Sequence, residues 1–314
     1  MGDLALVIIF NHRFDENIEK LVDIYAARFS NIFFLIPFYE GNDPRVIPVY
    51  ESSIYFQGYV NQAFGQLILN PFKHYLFVAD DLILNPRINE DNYKSFFLVD
   101  DDTAFIKELV DLHHVNKYWV RLEEAIQYNP NSMINRIDLK NLLPQYAEAA
   151  RCFSAQGLTV RDNIKDFKVV YKKPELRGLF FSGLLSYFVS MLRYYKHRLL
   201  FEKNNGFRLY YPLVGANSDI FLIPGNIFRQ FSHLCGIFSS TDLFVELALP
   251  TALVLSAKKI VTEKEINNRG MAIKGAEAIN QFEGEYQSDL NYFLSHFPET
   301  SLFVHPIKLS RWHF

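Results

Sequence analysis

Hydrophobic and polar residues form two kinds of segment along the first 90 residues of the chain. Short apolar runs typical of buried strands alternate with longer segments in which apolar residues recur at helical spacing. The runs predict strands at residues 4–10, 31–38, 46–50 and 74–79. The spacing predicts helices at residues 15–29, with Asp15 as N-cap, and at residues 55–69. This alternation predicts a parallel sheet with helices on its faces.

The middle of the chain has a different character. Residues 100–207 have the pattern of a largely helical insertion, with predicted helices at 101–114 and 136–153. The later part predicts strand character at 208–224, helices at 226–238, 240–255 and 274–297, and a terminal strand within 301–312. We therefore expect an α/β fold with a mixed, mostly parallel central sheet, flanking helices and a helical insertion.

Composition supports a large core and excludes some functions. Of the 314 residues, 49% are hydrophobic and 16% are aromatic, which argues against disorder. The formal net charge of -3 provides no global positive field, so we expect no nucleic-acid partner. Only Cys152 and Cys235 occur, which excludes a disulfide framework and fits a reducing compartment.

One uncharged segment allows two interpretations. Residues 178–192 carry no charge and are flanked by cationic residues on both sides, namely Lys172, Lys173, Arg177, Arg193, Lys196 and Arg198. The segment is too short to span a bilayer, which needs about 20 apolar residues. It is either a buried helix or, over residues 178–198, a peripheral helix whose cationic flanks face anionic lipid.

Two adjacent carboxylates follow the predicted strand at 74–79. Asp80 and Asp81 separate the apolar run Tyr75–Ala79 from the apolar run Leu82–Leu84. In parallel α/β sheets, ligands bind at the carboxyl ends of strands, where these acids would lie. Two acids there can hold a hard divalent cation, which can neutralise charge on a phosphate leaving group. A helix cap or a solvated turn is the alternative.

A second acidic run, Asp100–Asp102, competes for the same role. It leads directly into Thr103 and the predicted helix at 101–114. Acids at a helix N-terminus are explained by capping and by the helix dipole. We therefore favour Asp80 and Asp81 as the metal site.

The end of the chain offers a complementary set. His305 and Lys308 lie three residues apart after the last predicted strand. A neutral imidazole can complete a metal site begun by carboxylates, and a lysine can bind phosphate as a point charge. A frayed basic tail is the alternative, since Arg311 and His313 follow.

The segment 215–224, GANSDIFLIP, suits a ligand with hydroxyl groups. Its small residues let a ligand approach the backbone closely. Asn217, Ser218 and Asp219 offer hydrogen bonds to hydroxyls. A turn that enters a strand explains these residues equally well.

A candidate general base lies in the segment 240–250. Asp242 and Glu246 are four residues apart, so on a helix they would share one face. Either carboxylate can accept a proton from an attacking hydroxyl. The alternative for Asp242 is a place in the first turn of a helix. Glu246 lies among apolar residues, which makes a purely structural explanation harder.

Polar residues also follow the first two predicted strands. Asn11, His12 and Arg13 come after the first strand, and Tyr39 and Glu40 after the second. These side chains would lie at the carboxyl edge of the sheet, near a bound nucleotide. The sequence contains no GxGxxG after the first strand, no GxxxxGK[ST], no GxSxG and no HExxH. Dinucleotide-binding, P-loop, α/β-hydrolase and zincin functions therefore have no support.

With this alternation, the acidic pair and the late His and Lys, the chain resembles glycosyltransferases of the GT-A fold. The stretch FVADDLILNP resembles their D-x-D motif, with Ala79 where a first Asp often stands. The resemblance implies that Asp81 binds a metal, Mn²⁺ or Mg²⁺, and that Asp80 contacts the metal and the sugar or ribose. The stretch GANSDIFLIP resembles the strand of those enzymes that lies near the donor sugar.

The tail HPIKLSRW is similar to the H-x-x-G-x-x-K-P-W motif of glycogenin-like and lipopolysaccharide galactosyltransferases. The resemblance implies that His305 binds the metal and that Lys308 contacts the diphosphate. Here the spacing is shorter and the Gly is absent. The resemblance covers about the first 90 and the last 100 residues, and the middle insertion lies outside it.

The resemblance implies one GT-A-like domain that transfers a sugar. Residues 1–99 would form the nucleotide-binding half, 100–207 the insertion, and 208–314 the acceptor half with the closing segment. The donor would be a nucleotide-diphosphate sugar and the acceptor a glycan or a lipid-linked molecule. The sequence starts without a membrane anchor, which favours a bacterial, cytoplasmic enzyme of surface-polysaccharide synthesis, peripheral at the inner face of the membrane.

Two other functions compete with sugar transfer. A sugar nucleotidyltransferase usually has a Gly-rich basic loop after its first strand, and FNHRFDEN has no Gly. A non-catalytic protein that binds carbohydrate or nucleotide on a degenerate GT-A fold is favoured by Ala79 in the D-x-D position. Donor sugar, acceptor and oligomeric state do not follow from the sequence.

Overall fold

The computed structural model of the protein describes residues 2–130, 142–175 and 184–314. Within these residues the larger strands are β1 (Gly2–Ile9), β2 (Ile32–Pro37), β3 (Val46–Val49) and β4 (Phe72–Ala79) in the first part of the chain. The following strands are β5 (Ile83–Leu84), β6 (Thr103–Ile106), β7 (Val110–Asp111), β8 (Asn163–Ile164), β9 (Phe207–Arg208), β10 (Val214–Gly215), β11 (Ile220–Pro224), β12 (Lys259–Val261), β13 (Arg269–Ala272) and β14 (Ser301–His305).

The described helices flank these strands. They are α1 (Asn17–Tyr25), α2 (Gln57–Leu67), α3 (Tyr93–Phe97), α4 (Arg121–Gln127), α5 (Tyr146–Ala155), α6 (Phe167–Val170), α7 (Leu184–Asn204), α8 (Phe228–Ser240), α9 (Val245–Ser256), α10 (Ala276–Glu285) and α11 (Leu290–Ser295). Short 3₁₀ turns occur at Ser53–Tyr55, Gly225–Ile227 and Leu309–Arg311. Every described helix is too short or too polar to cross a lipid bilayer.

The central sheet has seven strands in the order β12-β6-β11-β4-β1-β2-β3. Strands β1, β2, β3 and β4 pair in parallel, and β12 pairs in parallel with β6. Strand β11 runs antiparallel to both of its neighbours, β4 and β6. The predicted mixed, mostly parallel sheet flanked by helices is therefore confirmed.

Both faces of this sheet are buried, which explains why β1 is a continuous apolar run. Successive side chains of a strand point to opposite faces. Ala5, Val7 and Ile9 accordingly pack in a core layer with α2, α8 and α9. Leu6 and Ile8 pack in the opposite layer with α1, α10 and α11. Packing on both faces therefore fixes the positions of the strands, including the carboxyl ends of the parallel strands.

The predicted helix at residues 101–114 is wrong. Residues Thr103–Ile106 form strand β6, which lies inside the central sheet between β11 and β12. All four side chains of this strand are buried, and burial between two partner strands outweighs the local helix signal. The predicted division into 1–99, 100–207 and 208–314 stays a prediction, although β6 adds a sheet strand to the middle range.

Other predicted elements need smaller corrections. The predicted helix at 274–297 is two helices, α10 and α11, separated by Gln287 and Ser288 with positive φ angles of 54° and 52°. Asp15 is not the cap of α1, because Glu16 holds the N-cap position and makes no side-chain capping bond. The predicted helix at 136–153 begins outside the described residues. Of its described part, residues 146–153 belong to α5, whereas residues 142–145 are not helical.

A second small sheet fixes the end of the chain. Strand β14 pairs in parallel with β13 and antiparallel with β5, which begins two residues after Asp81. The Asn85 side-chain amide donates a hydrogen bond to the Ser301 carbonyl at 2.7 Å. These pairings place the residues after β14 beside the residues after β4.

Candidate active site

Four chain segments meet at the carboxyl edge of the central sheet. Strands β1 and β4 end side by side, with Ile9 paired to Ala79. Because β11 runs in the opposite direction, its first residues lie at the same edge, and the Ala79 amide donates to the Asp219 carbonyl at 2.9 Å. The Ile307 amide donates to the Asp81 carbonyl at 2.7 Å, which adds the segment after β14.

These segments bring together Asp80, Asp81, Asp219 and His305, which we call the carboxylate–histidine cluster. His305 lies between two of the acids. Its Nε2 is 3.2 Å from Asp81 Oδ1, and its Nδ1 is 3.6 Å from Asp219 Oδ2. The side chains of these three residues are 21 to 28% exposed, so the cluster is half-buried and accessible from solvent.

The local electrostatics show an excess of negative charge. Burial raises the pKa of Asp80 to about 7, and the charge of Asp81 adds to the rise. Burial also raises the pKa of Asp219, although His305 opposes this. Burial would lower the pKa of His305, but contact with Asp81 and the charges of Asp219 and Asp81 outweigh it and raise this pKa above its ordinary value. A cluster of three acids around one imidazole favours the binding of a further cation.

The carboxylate and imidazole groups of the cluster are suitable ligands for a divalent metal, but they are not arranged in a metal-binding geometry. Carboxylate oxygens and an imidazole are ligands that Mn²⁺ and Mg²⁺ sites use. Asp81 Oδ1 is buried and lies 3.2 Å from His305 Nε2 outside good hydrogen-bond alignment, so it can accept a further partner. In the described part of the chain, however, no group of three or more His, Cys, Asp or Glu side chains is arranged to hold a metal. Both ring nitrogens of His305 face carboxylates instead.

Lys308 lies beyond the cluster, at the start of the last 3₁₀ turn. Its side chain is exposed and forms no ion pair with the residues that the structure describes. It is separated by two residues from His305, whose own position is fixed by β14. An exposed lysine without an ion pair can contact an anionic group of a ligand.

The residues after β1 and β2 also lie at this edge. Arg13 forms ion pairs with Asp15 at 3.3 Å and with Glu40 at 2.9 Å, and it donates to the Phe38 carbonyl at 3.1 Å. The ends of β1 and β2 are therefore bridged by one guanidinium. Charge-assisted bonds to Glu40 and Asp15 raise the pKa of Arg13, so it stays cationic.

Asn11, His12 and Tyr39 complete this part of the edge. The Asn11 backbone amide donates a hydrogen bond to Asp80 Oδ1 at 3.2 Å, which connects the end of β1 to the cluster. His12 is exposed. The Tyr39 hydroxyl accepts a hydrogen bond from the Asp43 amide at 3.2 Å. The structure thus brings the residues predicted to contact a nucleotide to one edge, and their binding roles stay predictions.

The start of β11 carries a polar group without a partner. Ser218 is buried, and its hydroxyl has no hydrogen-bond partner among the described residues. Asn217 is partly exposed beside it. A buried hydroxyl without a partner is costly, so a ligand bond there would be favourable.

The predicted pair of acids on one helix face is wrong for Asp242. Asp242 has a φ angle of 57° and lies in the turn between α8 and α9, outside either helix. Glu246 lies in the first turn of α9, where its Oε2 pairs with Arg121 Nε at 3.0 Å. Its carbonyl accepts a hydrogen bond from the Ala216 amide at 2.9 Å. Ala216 is three residues from Asp219, so their Cα atoms are at most about 11 Å apart.

Two neighbours of the site gave no clear signal in the sequence. Arg121 pairs with Glu246 across 125 positions and lies 3.3 Å from the ring centroid of Phe244. Tyr59 is buried, and its pKa is raised by burial, with further contributions from the charges of Glu51 and Asp80. Both contacts are long-range, and nothing in the local pattern at 59 or 121 predicts them.

Comparison with known proteins gives little further information. No family model matches the sequence, and no curated protein matches it. Among solved structures, it is similar to the apo structure of WbbM, described as a bifunctional glycosyltransferase, with a TM-score of 0.37 and 10% sequence identity. That alignment covers 97% of this chain and 45% of the other, so the chain spans less than half of that protein. This likeness is too slight to assign a fold family or a function.

Proposed function

We propose that the protein is a glycosyltransferase that moves a sugar from a nucleotide-diphosphate donor to a carbohydrate or lipid-linked acceptor. The carboxylate–histidine cluster carries this proposal. It lies at the carboxyl edge of a mostly parallel sheet, where ligands of α/β proteins bind. It combines metal-type ligands with a nearby unpaired lysine, Lys308. Transfer of a sugar requires stabilisation of a diphosphate leaving group, and these are groups that can supply it.

We assign the metal-binding role to Asp81 and His305, with Asp80 as a further ligand. A bound Mn²⁺ or Mg²⁺ would supply positive charge to the diphosphate. Asp219, next to His305 Nδ1, would orient the ring so that Nε2 faces Asp81. Lys308 would bind the diphosphate from the other side as a point charge.

The nucleotide would lie along the ends of β1 and β2. Asn11, His12 and Tyr39 offer polar groups there, and Arg13 is held in place by Glu40. The donor sugar would lie against Asn217 and Ser218, where the unpartnered Ser218 hydroxyl can accept or donate a hydrogen bond.

We assign the role of general base to Glu246. Its Oε2 lies 3.0 Å from Arg121 Nε, and this ion pair holds the carboxylate in place. Its backbone is bonded to Ala216, close to the start of β11. Asp242 stays a second candidate from the sequence. Glu246→Gln should lower turnover at least about 100-fold with little change in donor binding, whereas Asp242→Asn should do so only if Asp242 is the base. Full turnover by Glu246→Gln would exclude it.

A non-catalytic protein that binds nucleotide or carbohydrate is the second candidate. The observation that favours it is that both His305 nitrogens already face carboxylates, and no metal cage is formed in the described residues. A sugar nucleotidyltransferase has no comparable support. Surface-polysaccharide synthesis in the cytoplasm is the setting in which we propose the transferase acts.

Thermal unfolding with added nucleotides tests the proposal. UDP, GDP and CMP would be added singly, each with and without Mn²⁺. A nucleotide at 100 times its Kd should raise Tm by about 5 °C. We expect one nucleotide to act, with Mn²⁺ increasing the shift, and Asp81→Asn to abolish the increase. A shift for none of them contradicts nucleotide-dependent transfer, and a shift without turnover of any matching nucleotide-sugar favours the non-catalytic protein.

A further inference from the structure

The long helix α7 has one face on the protein and one face in solvent. Its inner face is formed by partly exposed residues at helical spacing, which are Tyr187, Met191, Tyr194, His197 and Phe201. Tyr194 and Phe201 pack edge-on against Phe167 at ring-centroid distances of 5.2 and 5.5 Å. His197 stacks on Tyr171 at 4.4 Å. These contacts fix the rotation of the helix, so the opposite face points outward.

The outer face of α7 is apolar. Its large side chains are at least half exposed, namely Leu185 at 80%, Phe188 at 55%, Val189 at 57%, Leu192 at 70%, Tyr195 at 50% and Leu199 at 67%. At 100° per residue these positions lie within about 60° of Leu192 on either side. They form one continuous stripe, which we call the outer stripe. Exposed apolar surface of this extent marks an interaction site.

Cations are interleaved with this stripe. Lys196 and Lys203 lie on the same face, and neither forms an ion pair with any described residue. Arg193 and Arg198 lie to the sides and pair with Glu123 and Glu202. Glu202 is the one acid in α7, so the helix carries four cations and one anion, a net charge of +3, whereas the whole chain carries -3.

A further cation borders the stripe from outside the helix. Lys173 lines a shallow groove together with Tyr195, Arg198 and Leu199. The groove, whose lining also includes Glu202 paired with Arg198, extends the surface of α7 to Lys173. The exposed surface therefore combines large apolar side chains with ammonium groups on the same face.

We infer that the outer stripe of α7 docks on a membrane surface that carries anionic lipids. The apolar side chains would enter the boundary between headgroups and acyl chains, while Lys173, Lys196 and Lys203 contact lipid phosphates. The charge argues against a second copy of this chain as the partner, since two +3 helices would face each other. The sequence left two alternatives for this segment, a buried helix and a peripheral helix over residues 178–198. The described helix Leu184–Asn204 has no buried residue, which contradicts the first alternative. The described part of that range supports α7 as the contact, and residues 178–183 lie outside the described residues.

Flotation with lipid vesicles tests this inference. The whole chain would be mixed with vesicles of phosphatidylcholine alone, or of phosphatidylcholine and phosphatidylglycerol in equal parts, at low and high salt. We expect at least about tenfold stronger partition onto the anionic vesicles, reduced by high salt. Lys196→Gln with Lys203→Gln should weaken this partition about tenfold or more, because each cation near an anionic surface contributes about fivefold.

Matched variants separate the stripe from nonspecific effects. Lys258→Gln with Lys264→Gln removes two exposed lysines elsewhere and should leave partition within about threefold of the unchanged chain. Leu192→Gln with Leu199→Gln should weaken binding to both vesicle types, whereas Leu69→Gln, at a site 76% exposed, should not. Unchanged Tm values would show that each variant is folded.

Three results would overturn the inference. One is no partition onto anionic vesicles at low salt. Another is equal loss of partition in the Lys258 and Lys264 control. The third is light scattering that shows a dimer of the free chain that Leu192→Gln dissociates, which would assign the outer stripe to self-association.

Discussion

Two acidic runs in this chain look alike in sequence but lie at opposite edges of the central sheet. Asp80 and Asp81 follow β4, at its carboxyl end. Asp100–Asp102 precede β6, at its amino end. Strands β4 and β6 run in the same direction, because each is antiparallel to β11. The acids therefore point to different edges, and only the first run reaches the edge where ligands bind in α/β sheets.

The partners of the two runs differ as much as their positions. Asp100 accepts hydrogen bonds from the Thr103 hydroxyl and the Asp102 amide and pairs with Lys259, and these contacts lower its pKa to about 2. Asp80 instead has a pKa raised by burial to about 7. A carboxylate with hydrogen-bond donors and a cation beside it stabilises the fold. A buried carboxylate next to other carboxylates destabilises the fold, and a bound cation can offset this destabilisation. Position relative to strand direction, not the acid pattern, separates the two environments.

The largest contrast is expected in turnover. Asp81→Asn should lower transfer from the nucleotide-sugar at least about 100-fold, since it removes a charge next to His305 at the proposed leaving-group site. Asp101→Asn, in the surface run, should change turnover less than about twofold. Product formation measured by mass spectrometry checks both. Similar losses in the two variants would show that strand direction does not distinguish the runs.

The ion pairs of the site should matter more to stability than surface pairs. His305→Ala leaves Asp81 and Asp219 facing each other without a cation and should lower the free energy of unfolding by about 2 kcal/mol. Arg87→Ala breaks the exposed pair with Glu299, 64 and 76% exposed, and should cost less than about 1 kcal/mol. Urea denaturation measures both values. An equal cost would mean that the half-buried cluster is as solvated as the surface.

Removal of one charge from each run should shift stability in opposite directions. Asp80→Asn, which keeps an acceptor for the Asn11 amide, should raise the free energy of unfolding by about 1 kcal/mol at neutral pH without added metal. Asp100→Asn should lower Tm, because Asp100 is the satisfied acid. Thermal unfolding of both variants at one salt concentration decides the sign. A loss of stability in Asp80→Asn contradicts the crowded-acid description.

The smallest effect concerns a buried base at the other end of β4. His74 is fully buried against the Tyr93 hydroxyl at 2.9 Å, and burial lowers its pKa below the ordinary value of 6.5. The unfolded chain therefore binds more protons than the native protein below pH 6.5, so stability falls as pH decreases. His74→Phe should remove part of this loss. Between pH 7 and pH 5 the free energy of unfolding should therefore fall less in the variant than in the original chain. Denaturation experiments across this pH range measure both proteins, and an equal pH dependence of their free energies of unfolding would contradict the prediction.

The strand and helix pattern predicted most of the first half of the sheet. Mainly apolar runs formed β1, β2 and β4, because both faces of a covered parallel sheet are buried. The pattern failed at β6, where Asp100–Asp102 have the composition of a helix N-terminus but serve the turn before a four-residue strand. A strand that short gains its stability from the neighbours β11 and β12, which lie far away in sequence.

The site could be predicted in part. The adjacency of Asp81 and His305 followed from the resemblance, and the structure brings the two side chains together. Their roles toward metal and donor stay predictions. Asp242 was misplaced because a left-handed residue between two helices leaves no trace in a spacing pattern. The Arg121 partner of Glu246 was missed because tertiary packing alone brings it there.

The antiparallel direction of β11 has a consequence for the middle of the chain. The polypeptide leaves the sheet after Ile106 and re-enters it at Ile220, and both points lie on one rim. Strands β7 and β10 pair antiparallel with each other close in sequence to these two points, so they hold the two ends of the intervening segment together. The segment between β6 and β11 can therefore be lengthened or exchanged without changing the register of the central strands. The entropic cost of closing such a loop grows only slowly with its length. Such modularity would let the same sheet accept new partners by exchange of a single insert.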